Sequence, residues 1–459
     1  MWVLERLAAD LHPTNLRPLF YLVTPNETMH YKSIEEVPNL LENSNLWMLL
    51  LVLIEFYFLD DRKYAFNDTI TSINAGILSL LMKFGGRYMS AALYPWFFSH
   101  FRIIDLDPHS STTWMICFFT QDLCYYLAHR AIHEFGVFWS FHQMHHSSEY
   151  YNLSTALRQG MWQDFGTFGF DLLQSFFIPP NIFIVHRYMN VAYQFWLHTE
   201  LVPYLGPFEW FFNTPSSHRV HHGRNPYCID RNYGGTLIIW DRLFGTYEAE
   251  RSDEKIAYGL VTNVETFDQL WCQTFEFKAL GYDKGQMKDE KGKEIFPGFW
   301  EKLKCVFMPP GYFPGVRTRW FFFWKCVEDN TEGIPEINEV PVPYNQPLST
   351  PLKLYLTVQF TVTVVLAIYF NEVRVSLNWP SFFAYFSYLL ASIQAFGYYF
   401  DHRPFCVLFD CARLLALIYF GFMAQSGMAF IFGGLSAATV IALGFAGQMP
   451  VTMVTKKLD

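Results

Sequence analysis

The run LLALIYFGFMAQSGMAFIFGGLSAATVIALGFAGQMPVTMVT, residues 414–455, decides the fold class, because its 42 residues include no Asp, Glu, Lys or Arg. One membrane-spanning helix needs about 20 residues of this kind. The run therefore has room for two, with Gln425-Ser426-Gly427 as the turn between them. Toward the N-terminus, Pro404 to Ala424 is apolar except for Asp410 and Arg413, and it crosses a bilayer only if those two face other helices. Uncharged runs at 375–400 and 354–371 complete a C-terminal segment, 351–459, of four or five helices in lipid.

Composition agrees with that class. Of 459 residues, 51% are hydrophobic, 19% aromatic and only 16% charged, against about 25% charged in ordinary globular chains. A net charge of −9 without a basic tract excludes nucleic acid as a partner. Eight cysteines without a CxxC pair argue against a disulfide scaffold and for free thiols. No secretory signal peptide is expected, since the first residues carry charges and Pro13.

The N-terminal half is less regular. Leu46 to Leu59 is short and contains Glu55; residues 69–101 are broken by Lys83, Gly85, Gly86 and Arg87; Trp114 to Ala128 and Leu172 to Val185 follow. Interrupted runs of about 14 residues predict half-buried or re-entrant helices. The expected fold is an all-α integral membrane protein, a multi-span helical bundle. Its expected segments are a polar N-terminal stretch 1–45, a membrane-embedded catalytic region 46–248, a polar insertion with a Pro-rich linker 249–350, and C-terminal transmembrane helices 351–459.

The chemistry lies in the histidines. Ten of the 15 fall between His129 and His222. His129 and His133 form HxxxH; His142, His145 and His146 form HxxHH; His218, His221 and His222 form a second HxxHH; His198 stands alone between them. At about 100° per residue, i and i+4 share a helix face, and one HxxHH turn spreads three imidazoles over a wedge of roughly 100°. HxxxH can meet one ion, while the adjacent histidines of each HxxHH can diverge to serve two. A structural zinc takes four ligands and a catalytic zinc three protein ligands. Nine imidazoles exceed both and suit two redox ions with four or five ligands each. Haem, held through axial histidines, uses fewer. His186 has no partner at i±3 or i±4 and reads as a core residue; His12, His30, His100, His109 and His402 are unassigned.

The three motifs in this order resemble the fatty acid hydroxylase/sterol desaturase superfamily of integral-membrane di-iron enzymes, over roughly residues 70–250. The stretches FHQMHHSSEYYNLSTALRQ, NTPSSHRVHHGRNPYCIDRNYGG and IIWDRLFGTYEAE are similar to its tetrahydrobiopterin-dependent, ether-lipid-cleaving branch. The resemblance implies a di-metal site at the cytosolic edge of the membrane with two Fe ions, and insertion of one oxygen atom from O2 beside the ether oxygen of an alkylglycerol. The resulting hemiacetal falls apart to a fatty aldehyde and a glycerol derivative. The pterin and the ether bond rest on that resemblance. Composition speaks only for a membrane body able to hold an alkyl chain.

Roles follow for single residues. Glu134, directly after His133, is the candidate catalytic or pterin-contacting carboxylate, or it orients an imidazole. Asn213 and Asn225 are weaker candidates for a ligand shell, Glu149 and Asp164 are weaker candidates for the role of Glu134, and Arg158, Arg219 and Arg224 are candidates for a lipid headgroup or phosphate. A competing reading is a sterol or fatty-acyl hydroxylase or desaturase fed by a cytochrome; a third is a metal transporter without oxygen chemistry. The tail Lys456-Lys457-Leu458-Asp459 reads as a dilysine retrieval signal and predicts the endoplasmic reticulum membrane.

Overall fold

The computed structural model describes residues 8–60, 63–82, 86–315, 334–337, 339–423 and 425–450. The dilysine tail lies outside them. Among the described residues every regular element is a helix, and strand-like pairing is confined to isolated bridges such as Phe212 with Leu237. Four helices are long and apolar enough to cross a membrane: α1 (Leu40–Phe58), α7 (Thr350–Val373), α9 (Cys406–Met423) and α10 (Gly427–Phe445). The chain is thus an all-helical, multi-pass membrane protein.

It divides into two compact units. One comprises Met1–Tyr64, Lys83–Asn263 and Gln273–Val342; the other comprises Ala65–Met82, Val264–Cys272 and Pro343–Asp459. In the first unit, α1 corrects the expectation of a short, half-buried helix. It begins at Leu40, ahead of the apolar run, and reaches 19 residues. Its acid, Glu55, is buried and accepts hydrogen bonds from the Tyr64 and Thr199 hydroxyls and from Leu153 N at 2.7 Å. A carboxylate in a spanning segment is tolerated when it faces protein in this way.

Helix α3 (Ser111–Glu134) starts at Ser110, whose hydroxyl accepts from Thr112 N at 3.2 Å. Only Phe135 separates it from α4 (Gly136–His146). The junction is tight: a Cβ added at Gly136 would lie 2.8 Å from the carbonyl of Val306. Helix α5 (Pro180–Tyr193) buries Phe183 and Val185 with Tyr94 and Ile178, and Tyr94 stacks on Phe183 at 3.9 Å. Helix α6 (Pro215–His222) is short, opens with Pro at its first position and is buried along its whole length.

The second unit gathers α2 (Phe66–Met82), α7, α8 (Trp379–Phe400), α9 and α10. Helix α8 lies outside the four spanning candidates; it is rich in Ser and Tyr, and eleven of its residues are buried in the bundle. Helices α9 and α10 form a hairpin around Gln425, in the left-handed region at φ 54°. An added Cβ at Gly421 would come within 2.8 Å of Phe430 N, so glycine permits the close approach. Asp410 and Arg413 do face other helices. Arg413 donates to Asp410 at 2.6 Å, to Gln359 at 2.8 Å and to Tyr388 at 2.9 Å, while Tyr355 and Tyr399 donate to the second oxygen of Asp410 at 2.6 and 2.9 Å. The charges are buried, paired and fully hydrogen-bonded, the condition under which they persist in lipid.

Candidate metal centre

The nine clustered histidines converge inside the first unit as two groups. His129, His133, His142, His146 and His221 place their ligand nitrogens within 4.8 Å of one another, and so do His145, His198, His218 and His222. The adjacent pairs diverge: His146 and His221 join the group of five, while His145 and His222 join the group of four. Each group draws on both HxxHH turns, so the two groups share a wall. His146 stacks on His222 with ring centroids 4.3 Å apart.

Main-chain carbonyls orient the rings. The Nδ1–H of His129 donates to Tyr233 O at 2.8 Å, that of His221 to Arg231 O at 2.8 Å, that of His145 to Arg158 O at 2.9 Å and that of His198 to Gln194 O at 2.9 Å. A carbonyl only accepts, so in each neutral ring the proton sits on Nδ1 and Nε2 carries a bare lone pair. Burial keeps the rings neutral, holding His145 down at about 4 and the other three of its group well below the ordinary imidazole value.

The consequence is electrostatic. The Nε2 atoms of His145 and His198 lie 3.2 Å apart, yet neither has a proton to give. His222 and His218 bring Nε2 to 3.1 and 3.2 Å from that of His198. In the other group the Nε2 atoms of His129, His133 and His221 are buried without a hydrogen-bond partner. Converging lone pairs in a buried site repel one another unless a cation sits among them. The donor set therefore fits a pair of transition-metal ions held by imidazole.

Aromatic side chains flank the site. Trp139 packs against His133 and His146 at 5.1 and 5.5 Å, and Tyr151 lies over His198 at 5.7 Å, itself stacked on Tyr258 at 4.7 Å. Two carboxylates that sequence reasoning passed over fix the loop supplying Tyr233 O and Arg231 O. Asp122 accepts from Thr236 N, Leu237 N, the Trp240 indole and Asn190 at 2.6–3.0 Å. Asp241 accepts from Tyr233 N at 2.7 Å, Gly234 N at 2.8 Å and Thr246 Oγ1 at 2.6 Å. The available signal for Asp122 was a lone acid in the otherwise uncharged run 111–128, which has to find partners when buried.

The remaining candidates fall as follows. Glu134 is wholly buried at the end of α3, and Arg130 Nε donates to it at 3.0 Å. Arg219 is bound bidentately by Glu250 at 2.7 Å and donates to the carbonyls of Thr199 and Val202, so it ties loops together instead of offering a headgroup site. Arg224 donates to Leu260 O at 2.9 Å, and Arg158 to the Ser147 hydroxyl at 3.0 Å. Asn213 donates to Gly234 O at 2.6 Å and Asn225 to Glu254 at 2.8 Å, both as loop braces. Glu149 accepts from Asn263 at 2.6 Å, and Asp164 lies 3.9 Å from Arg187. His186 is far from both groups in its contacts, with Tyr21 Oη at 2.8 Å from its Nδ1 and the Trp114 ring at 4.3 Å.

Comparison with known proteins fits this geometry. The fatty acid hydroxylase family pattern matches residues 114–246, which contain all nine imidazoles. The chain is 45% identical over 422 residues to alkylglycerol monooxygenase of Caenorhabditis elegans, covering 91% of this chain and 83% of the relative. It is 37% identical over 407 residues to the Xenopus tropicalis protein of the same name, covering 88% and 86%. With the Homo sapiens one it shares 36% over 414 residues, covering 88% of each. No solved structure matches the chain.

Proposed function

Because this chain belongs to the alkylglycerol monooxygenase family, we propose that it is a membrane oxidoreductase that hydroxylates the alkyl carbon beside the ether oxygen of alkylglycerols and lyso-ether phospholipids. The observation that carries the reading is the pair of neutral imidazole groups with inward lone pairs. We assign the group of five and the group of four to one iron ion each, because imidazole suits iron and five donors in one group exceed the four of a structural zinc. Bound iron would activate dioxygen with two electrons from tetrahydrobiopterin, one oxygen atom entering the C–H bond and the other leaving as water.

The chain's own residues then act as scaffold. Backbone carbonyls keep Nε2 of four rings free for metal, and Trp139 and Tyr151 exclude water. Glu134, buried next to His133 and charged against Arg130, is assigned the pterin contact or the orientation of that imidazole. The product carbon is a hemiacetal that breaks down to fatty aldehyde and a glycerol derivative, so no protein nucleophile is required.

The test is reconstitution. Purified protein with two irons, tetrahydrobiopterin, O2 and a 1-O-alkylglycerol should release fatty aldehyde. The match to the fatty acid hydroxylase pattern favours acyl hydroxylation as the second reading. Turnover of a sterol or acyl substrate that only a cytochrome chain supports would select it and refute the first.

A further inference from the structure

Residues 201–211, LVPYLGPFEWF, join His198 to the helix carrying His218, His221 and His222. This segment is built inside out for water. Its one charged residue, Glu209, is buried, accepting from Leu205 N at 2.8 Å and from the Ser216 hydroxyl. Its apolar side chains point outward, with Tyr204 62%, Trp210 58% and Phe211 59% exposed and Leu201 and Phe208 beside them. The segment is held fast: Arg219 grips Thr199 O and Val202 O, Arg242 donates to Glu209 O at 3.1 Å, and Ile238 N donates to Phe211 O at 2.9 Å. An exposed aromatic cluster on a rigid loop marks an interaction surface.

What covers it follows from its attachment. Thr199 Oγ1 accepts from Leu201 N at 3.1 Å and donates to Glu55, near the end of the spanning helix α1. Around Glu55, α1 turns Ile54, Tyr57 and Phe58 outward, Tyr57 to 81% exposure. The buried face of this helix is thus hydrogen-bonded to Thr199, which in turn accepts from the first residue of the loop, so the outward side chains of α1 and the loop belong to one fixed surface. Trp and Tyr favour the headgroup level of a bilayer, and irregular backbone does not enter lipid-exposed hydrocarbon, which sets the depth.

We propose that residues 201–211 seat in the headgroup–hydrocarbon boundary of the bilayer as an anchor that fixes the depth of the histidine centre. The test uses the full chain in phosphatidylcholine nanodiscs, with an environment-sensitive fluorophore on Trp210→Cys and, as the water-exposed control, on Lys291→Cys. The label at 210 should emit to the blue of the control, lose intensity with lipids spin-labelled near the headgroup, and resist aqueous iodide. Equal iodide quenching at both sites overturns the proposal. So does shielding from both quenchers with cross-linking of two chains through position 210, which would make a second copy the occupant. Unchanged metal content and elution volume establish that the labelled chain is folded. A second variant, Phe211→Glu, should raise the KM for a long-chain alkylglycerol about tenfold with kcat and bound metal unchanged; an unchanged KM counts against the anchor. This arm rests on the activity proposed above and the quenching arm does not, so loss of one reading is distinguishable from loss of the other.

Discussion

Replacing Asp241 by Asn should empty one metal site and leave the other filled. Asp241 holds Tyr233 N and Gly234 N at 2.7 and 2.8 Å, and the same short loop presents Tyr233 O to His129 and Arg231 O to His221. Both rings belong to the group of five. Burial pushes the Asp241 carboxyl up to about 6, so at pH 7.5 it is the ionised acceptor of three donors. An Asn of the same shape accepts at one oxygen and turns an NH2 toward a backbone N–H. Losing a charge-assisted bond to a buried donor costs about 1.5–3 kcal/mol. Loosening the groups that orient a ligand lowers metal affinity about 10–100-fold, equivalent to about 1.4–2.8 kcal/mol, so the two magnitudes agree. The carbonyls that orient His145 and His198 belong to Arg158 and Gln194, which Asp241 does not touch. Metal per chain, measured by plasma mass spectrometry after equilibration with graded chelator, should fall in two steps, one ion leaving early and the other at the parent concentration. Departure of both ions together, or of neither, would refute the separate bracing of the two groups. Thr246→Val removes the hydroxyl donor to Asp241 and the partner of the Tyr126 hydroxyl at 3.0 Å, but leaves both backbone donors on Asp241, and should leave both ions in place.

Other expectations are simpler. His145→Ala should abolish turnover and lower bound metal while the protein still inserts in membranes; retained metal and activity would sink its assignment. Asp410→Asn strands Arg413 inside the C-terminal bundle and should cost about 3–5 kcal/mol, read as a lower thermal midpoint in detergent, with Asp410→Leu/Arg413→Met recovering part of it. His186→Ala should leave metal content alone. His186 is held down at about 3 by burial, so the folded state refuses a proton that the unfolded chain binds below about 6.5. Stability should therefore fall as pH drops from about 6.5 toward 3, by about 2 kcal/mol at pH 5. His186→Gln should lose less thermal midpoint between pH 7 and pH 5 than the parent, and an equal loss would refute the burial effect.

The fold class was legible because a bilayer imposes a local rule: some 20 apolar residues make one span. The paired spans α9 and α10 obey it, with the turn at Gln425. Helix α1 did not read so plainly, because Glu55 interrupts the apolar pattern and its compensation comes from Thr199, 144 residues away. The carbonyl braces are equally remote in sequence. Tyr233 O reaches His129 across 104 residues and Asp122 grips Leu237 N across 115, so no spacing rule announces them. Arg219 shows the opposite case: its type suits a headgroup, and Glu250 fills that role in the folded chain.

By itself the sequence determined that this is a helical membrane protein and that three turns offer imidazoles at one-turn intervals, since helix periodicity turns spacing into direction within a few residues. Only the tertiary structure decided that His198 joins the group of four, that His145 and His146 part company, and that Asp122 and Asp241 stand behind the loop that orients two rings. The reason is that a lone pair's direction is set by the partner of the other ring nitrogen, and that partner is delivered by chain packing across many turns, not by the residues next door.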